Sequence, residues 1–233
     1  LTPIGKVGDL YIYQNEHAMP ICFPVSKNYT QYDTELEYEN PFELQNRMLS
    51  AMVGSDEVIE FYEPIDQDTI VINNDNVAQK KYGEGYIKYS IDEIGKNCHI
   101  EFLINGMENK TIYAAFPSNY PRKVNIWINK EWYNTYLTSS SDDGIIPLGK
   151  YDPDETVSLI MTILPKEDEG SGEVFLGHKL FYAFNETLFE EYFAPLRSSV
   201  TDLTKQKETL ITFNVNIDEN QEIYTSIPYE TGW

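Results

Sequence analysis

The chain has 233 residues, of which 38 are Asp or Glu and 17 are Lys or Arg, giving a formal net charge of −21. That length buries a real core in one large domain or two small ones. So acidic a surface repels nucleic acid and anionic headgroups at long range, which excludes nucleic acid as a working partner. Apolar runs such as Leu159 to Leu164 are far too short to span a bilayer.

In chain order, Leu10–Tyr13 and Ile21–Val25 read as short strands, and 27–39 as a polar, Tyr-rich loop. The best helix covers 41–53. Asn40 is placed as its N-cap, Pro41 suits its first turn, Glu43 sits at the capping-box position, and Gly54 can close it in a left-handed conformation. At about 3.6 residues per turn, Phe42, Leu49 and Val53 share a face with Gln45 and Asn46. Two amides inside an apolar stripe need partners, so both are expected to bond buried backbone.

Val58–Tyr62 and Thr69–Ile72 are the next strand candidates, separated by a turn over Pro64 to Asp68. From about residue 82 the apolar period is two. Ile87, Tyr89 and Ile91 alternate with polar neighbours, as do Ile100, Phe102 and Ile104, before the turn signal Asn105-Gly106. Thr111–Phe116 continues the series. Val124, Ile126 and Ile128 alternate with Asn125 and Trp127, and Val157, Leu159, Met161 and Ile163 form one apolar face. Ile211, Phe213, Val215 and Ile217 repeat the pattern near the end, and Asp218-Glu219-Asn220 turns into a last strand, Glu222–Ile227. Asn185 caps a short helix over about 186–194, with Leu188, Phe189, Tyr192 and Phe193 on its apolar side and Pro195 ending it. Clean alternation marks strands with one buried face. The fold class is therefore mostly β, with sandwich or jelly-roll-like sheets and two helices. Residues 77–199 form the sandwich, 1–76 a mixed strand and helix segment packing with 200–233, and 200–233 the start of a C-terminal β-unit.

Chemistry is sparsely signalled. His17, His99 and His178 show no ligand spacing, and Cys98-His99 point to opposite faces of a strand. The weak metal candidate is Asp152, Asp154 and Glu155, which read better as an acidic turn. Two cysteines, Cys22 and Cys98, permit one disulfide without deciding it. No nucleophile elbow, phosphate loop or dinucleotide fingerprint is present, so no catalytic residue and no cofactor is assigned. Aromatics carry the strongest signal. Trp127 lies out of phase with its apolar neighbours, and Trp132, Tyr133 and Tyr136 follow within one segment. Exposed rings beside Asn and charged groups suit glycan contact, assigned to Trp127, Trp132 and Tyr136. Covering a sheet or meeting another part of a larger protein is the blander account of the same rings.

Several motifs in order carry a family resemblance. They are Tyr13–Pro20, Asn40-Pro41-Phe42 with Gln45-Asn46, Ile112–Ser118 leading to Trp127-Ile128-Asn129, Ile146–Tyr151 with Asp154–Val157, and Phe181-Tyr182. The most specific is Ser226-Ile227-Pro228-Tyr229-Glu230-Thr231-Gly232-Trp233. Together they resemble the soluble portion of the YfhO family of bacterial multi-spanning membrane proteins. One departure is Asn129-Lys130-Glu131, where the family's turn carries glycine. The resemblance implies a non-catalytic extracytoplasmic region at the cell membrane, excised from its parent, with the final β-unit cut short. The parent is implied to be a polyprenyl-phosphate-dependent glycosyltransferase serving lipoteichoic acid or another envelope polymer of Gram-positive cells. Its expected partners are the rest of the parent protein and a wall glycan or teichoic acid polymer. On this reading Asn40, Phe42, Gln45, Asn46, Pro228, Tyr229, Gly232 and Trp233 are structural. Two rivals stand beside it: a free-standing secreted carbohydrate-active enzyme or carbohydrate-binding sandwich, and a protein-interaction scaffold.

Overall fold

The computed structural model describes residues 2–15, 17–31, 40–82, 86–91, 93, 96, 98–116, 123–136, 145–163, 173–177, 179–207 and 210–226. In order the elements are β1 (Thr2–Val7), β2 (Leu10–Gln14), β3 (Cys22–Ser26), α1 (Pro41–Val53), β4 (Tyr62–Pro64), β5 (Val71–Asp75), β6 (Val77–Tyr82), β7 (Tyr86–Ile91), β8 (Cys98–Asn105) and β9 (Lys110–Ala115). There follow β10 (Val124–Ile128), β11 (Glu131–Tyr136), β12 (Ile145–Lys150), β13 (Thr156–Ile163), β14 (Glu173–Gly177), β15 (Phe181–Asn185), α2 (Glu186–Ser198), β16 (Val200–Lys207), β17 (Leu210–Val215) and β18 (Gln221–Thr225). The fold is mostly β, with antiparallel sheets packed together and two α-helices among the described residues. The chain divides into two compact units, one of Leu1–Thr34, Arg47–Ile59 and Thr187–Trp233, the other of Glu35–Asn46 and Glu60–Glu186.

The second unit is the sandwich. A five-stranded sheet, ordered β11-β10-β13-β8-β5, faces a four-stranded sheet, ordered β12-β9-β15-β4. The period of two dictates this. Ile100, Phe102 and Ile104 of β8 and Val157, Leu159, Met161 and Ile163 of β13 point inward, where they meet Ile112, Ala114, Ile146, Leu148 and Phe181 of the other sheet. Each fully buried aliphatic or aromatic side chain contributes about 1.5–3 kcal/mol relative to exposure. Cys98 belongs to this core and Cys22 is buried in the first unit, both as thiols.

The first turns of α1 cover the outer face of the four-stranded sheet. The Phe42 ring lies 4.5 Å from Tyr182 and 5.1 Å from Tyr62, centroid to centroid. Asn40 caps the helix, its Oδ1 accepting from the Phe42 N–H at 2.9 Å, while its Nδ2 donates to the Lys179 carbonyl at 3.0 Å. Glu43 pairs with Lys179. Buried Asn46 treats β4 as a neighbouring strand would. Its Nδ2 donates to the Tyr62 carbonyl and its Oδ1 accepts from the Tyr62 N–H, each at 2.8 Å. Since β4 is the edge of its sheet, this amide satisfies backbone groups that burial would otherwise leave costly.

In the first unit α1 ends in a Schellman motif. Gly54, at φ 77°, donates to Ala51, and Ser55 donates to Ser50. Ser50, buried on the same stripe as Asn46, accepts from the Ile59 N–H through Oγ at 2.8 Å. Strands β3 and β18 pair antiparallel. His17 Nδ1 meets Glu190 Oε1 at 2.8 Å, and Arg197 bonds the same carboxylate through both Nη1 and Nη2.

Three local expectations are corrected. The short helix runs past Pro195 to Ser198, because a proline near a C-terminus forfeits a single N–H, and Ser198 and Ser199 hydroxyls take the carbonyls of Pro195 and Leu196. Of the 58–62 candidate only Tyr62 lies in a strand, β4, which runs on to Pro64, since the Ile59 N–H is turned to Ser50 instead. Asn105-Gly106 does not close a two-residue hairpin, because β8 and β9 lie in different sheets. Gly106 is needed there for another reason. A Cβ at that position would meet the Asp152 carbonyl at 2.1 Å, and the Gly106 N–H donates to Glu155.

Two substitutions check the role of α1. Asn46→Leu leaves the Tyr62 N–H and carbonyl unpaired and is expected to cost about 2–4 kcal/mol in urea unfolding. Gln45→Leu, at a half-buried position whose amide makes no bond to the described residues, is expected to cost far less. Equal losses would contradict the assignment.

Candidate functional site

On the face of the five-stranded sheet turned away from the core, the pairing lines up two rows of side chains across the strands. Partners directly opposite in a ladder share a face. One row reads Asp75, His99, Thr162, Asn125, Thr135. The next reads Asn73, Glu101, Ile160, Trp127, Trp132. Rows two residues apart are separated by roughly 6.8 Å, and five strands span about 19 Å. Between them lies an open groove of about 570 Å³, bordered also by Lys130 from the turn after β10.

Hydrogen bonds hold the floor in place. Glu101 accepts from Ser158 Oγ at 2.7 Å and Asn73 Nδ2 at 3.1 Å. These bonds, Ser158 first, and then the charge of Lys130, hold the Glu101 carboxyl below its usual range, so it is a carboxylate at neutral pH. His99 Nδ1 is 2.9 Å from Thr162 Oγ1, and Thr135 Oγ1 donates to Asn125 Oδ1 at 2.8 Å.

Lys130 is held in an unusual backbone conformation. Asn129 and Lys130 have φ values of 49° and 70°, the pair of left-handed residues that a two-residue hairpin between twisted strands requires. Asn129 tolerates this and is anchored, accepting from the Ser158 N–H at 3.0 Å and donating to Tyr151 Oη at 3.1 Å. Lysine does not favour it, at about 1 kcal/mol. The cost is met where it brings the Lys130 ammonium, which borders the groove, beside Glu101.

The three aromatics singled out by sequence are separated by a bulge. Trp127 lines the groove. Trp132, 58% exposed, is its ladder partner. The register shifts between Ile126 and Trp127, so Tyr136 opposes core-facing Val124 and packs against the core instead. Its ring stacks on Tyr133 at 6.4 Å. Sequence reasoning did not find Asn73, Asp75, His99, Glu101 or Asn125. Their signal was the polar half of each alternating strand, which sequence alone could not order across the sheet.

Elsewhere, Asp152 and Glu155 close a turn on each other, N–H to Oε2 at 3.0 Å and N–H to carbonyl at 2.9 Å. Among the described residues no three His, Cys, Asp or Glu side chains are grouped to hold a metal. Pro228, Tyr229, Gly232, Trp233 and His178 lie outside the described residues.

The fold and groove thus define a β-sandwich domain whose outer sheet face carries a polar, aromatic-lined cleft. The family model described as bacterial membrane protein YfhO matches residues 1–233, and the chain belongs to that family. No curated protein matches it. Among the described residues no helix is long and apolar enough to cross a membrane.

Lys130→Gly should relieve the backbone cost while removing the charge, raising stability by up to about 1 kcal/mol in thermal unfolding. A loss of stability would show that the ammonium does more for folding than the turn costs. A carboxyl depressed in the folded state adds stability above its unfolded pKa of about 4.3, which is lost as pH falls through the folded value. The acid limb of the stability profile below about pH 4 is therefore expected to be shallower in Glu101→Gln than in the parent. Superimposable profiles would contradict it.

Proposed function

We propose that this is a non-catalytic, extracytoplasmic domain of a YfhO-family membrane protein that holds a glycan in the groove while envelope polymers, lipoteichoic acid among them, are glycosylated. The observation that carries the reading is the second row of the groove, where Trp127 and Trp132 pair across β10 and β11 beside Ile160, Glu101 and Asn73. An indole covers the apolar face of a sugar ring, and carboxylate and amide groups accept and donate to its hydroxyls. Concave sites that combine an apolar platform with a few polar groups are the usual form of small-ligand sites.

The same geometry disfavours a glycosidase. Glycoside hydrolysis by paired carboxyls needs one of them protonated at working pH. Glu101 is held the other way, and Asp75 and Glu101 rise from neighbouring strands of one floor rather than from facing walls. A binding role needs neither proton nor opposition.

The test is a glycan array followed by calorimetric titration of the best ligands. Trp127→Ala is expected to weaken binding at least tenfold and Trp132→Ala less, with thermal stability unchanged. Retained affinity in Trp127→Ala would overturn the proposal, as would turnover of glycosides by the domain itself.

A further inference from the structure

We infer that the groove accepts the uncharged saccharide part of an envelope polymer and rejects its phosphate-bearing backbone, an inference that rests on the glycan reading of the same groove. Three observations carry it. The first is charge. Among the described residues the lining holds two carboxylates, Asp75 and Glu101, against one ammonium, Lys130, and no arginine. Lys130 is already engaged electrostatically by Glu101, which leaves the Asp75 end of the groove negative. Among the described lining residues a phosphodiester would meet no cation without a carboxylate beside it, and a like charge in a cleft is a source of rejection as well as poor affinity.

The second is the backbone. Helix N-termini and successive turn N–H groups are what a fold uses to bind phosphate without arginine. The floor of this groove is four antiparallel strands, and those with a neighbour on both sides, β10, β13 and β8, spend their N–H groups on neighbouring strands. Over those three strands only side chains face the ligand.

The third is the kind of side chain. Asn73, Asn125, Thr162 and the two carboxylates present acceptors and amide donors in two rows, with Trp127 as the flat apolar surface between them and Trp132. Glu101 keeps both oxygens oriented by Ser158 and Asn73, one donor on each, so each oxygen retains capacity to accept from a hydroxyl. A run of hydroxyls across about 19 Å of sheet is the pattern of a short neutral oligosaccharide lying across the strands.

The whole chain is tested by fluorescence titration at 50 and 500 mM NaCl. One probe is a panel of neutral gluco- and galacto-oligosaccharides, the other an unsubstituted glycerol-phosphate polymer. Saturable binding of a neutral oligosaccharide is expected, weakened at least tenfold by Trp127→Ala and altered less than threefold by salt, with no binding of the polymer at either salt concentration. Polymer binding that equals saccharide binding would overturn the inference. If Trp127→Ala still abolished it, the groove reading would stand and the ligand class alone would fall. Absence of binding to either probe would overturn both.

Discussion

The register of β13 is the constraint on which the rest of the sandwich depends. It lies between β8 and β10 at the centre of the five-stranded sheet, with Ile163 opposite Cys98 on one side and Val124 on the other. Val157, Leu159, Met161 and Ile163 are all fully buried, so a slip of one residue would turn four large side chains into water and draw Thr156, Ser158, Ile160 and Thr162 inside. At about 1.5–3 kcal/mol for each aliphatic side chain, the slipped state is far out of reach. The two rows across the groove are the other consequence of the same register. The core thus fixes the outer face of the sheet as well as the inner one.

Asn46 plays a smaller version of the same part on the opposite sheet. A strand edge facing a helix would ordinarily leave backbone groups without partners, and a side-chain amide supplies both a donor and an acceptor to Tyr62. With Phe42 packed on Tyr182 and Tyr62, the polar and apolar contacts of the first helical turns act on one sheet face. The helix is thus part of the sandwich's closure and not of its chemistry.

Much of this was legible in the sequence, and the limits have physical causes. Alternation over Ile100–Ile104, Val124–Ile128 and Val157–Ile163 reports burial on one face directly, so β8, β10 and β13 could be read with their inward residues. The cap at Asn40, the close at Gly54 and the need of Asn46 for a partner follow from local chemistry in the same way. Strands β1, β6 and β14 escaped because their ladders draw on polar or mixed segments with no clean alternation. Strand order escaped as well, since period two says which face a residue takes but not which strand lies beside it. Trp127 was readable as outward facing, whereas grouping Tyr136 with it relied on proximity in the chain. A bulge at the hairpin, invisible to pattern, placed Tyr136 on the other face. Glu101 and Asn73 come together from segments far apart in sequence, and only the pairing brings them into one site.

A glycan bound as proposed would lie on the outer face of the five-stranded sheet. The chain has three tryptophans, Trp127 and Trp132 on that face and Trp233 outside the described residues, so the indole N–H region of a two-dimensional nitrogen–proton spectrum reads the claim directly. Titration with a neutral oligosaccharide is predicted to shift the Trp127 and Trp132 resonances together along one saturable isotherm. Saturable binding that moved Trp233 alone, or none of the three, would contradict it.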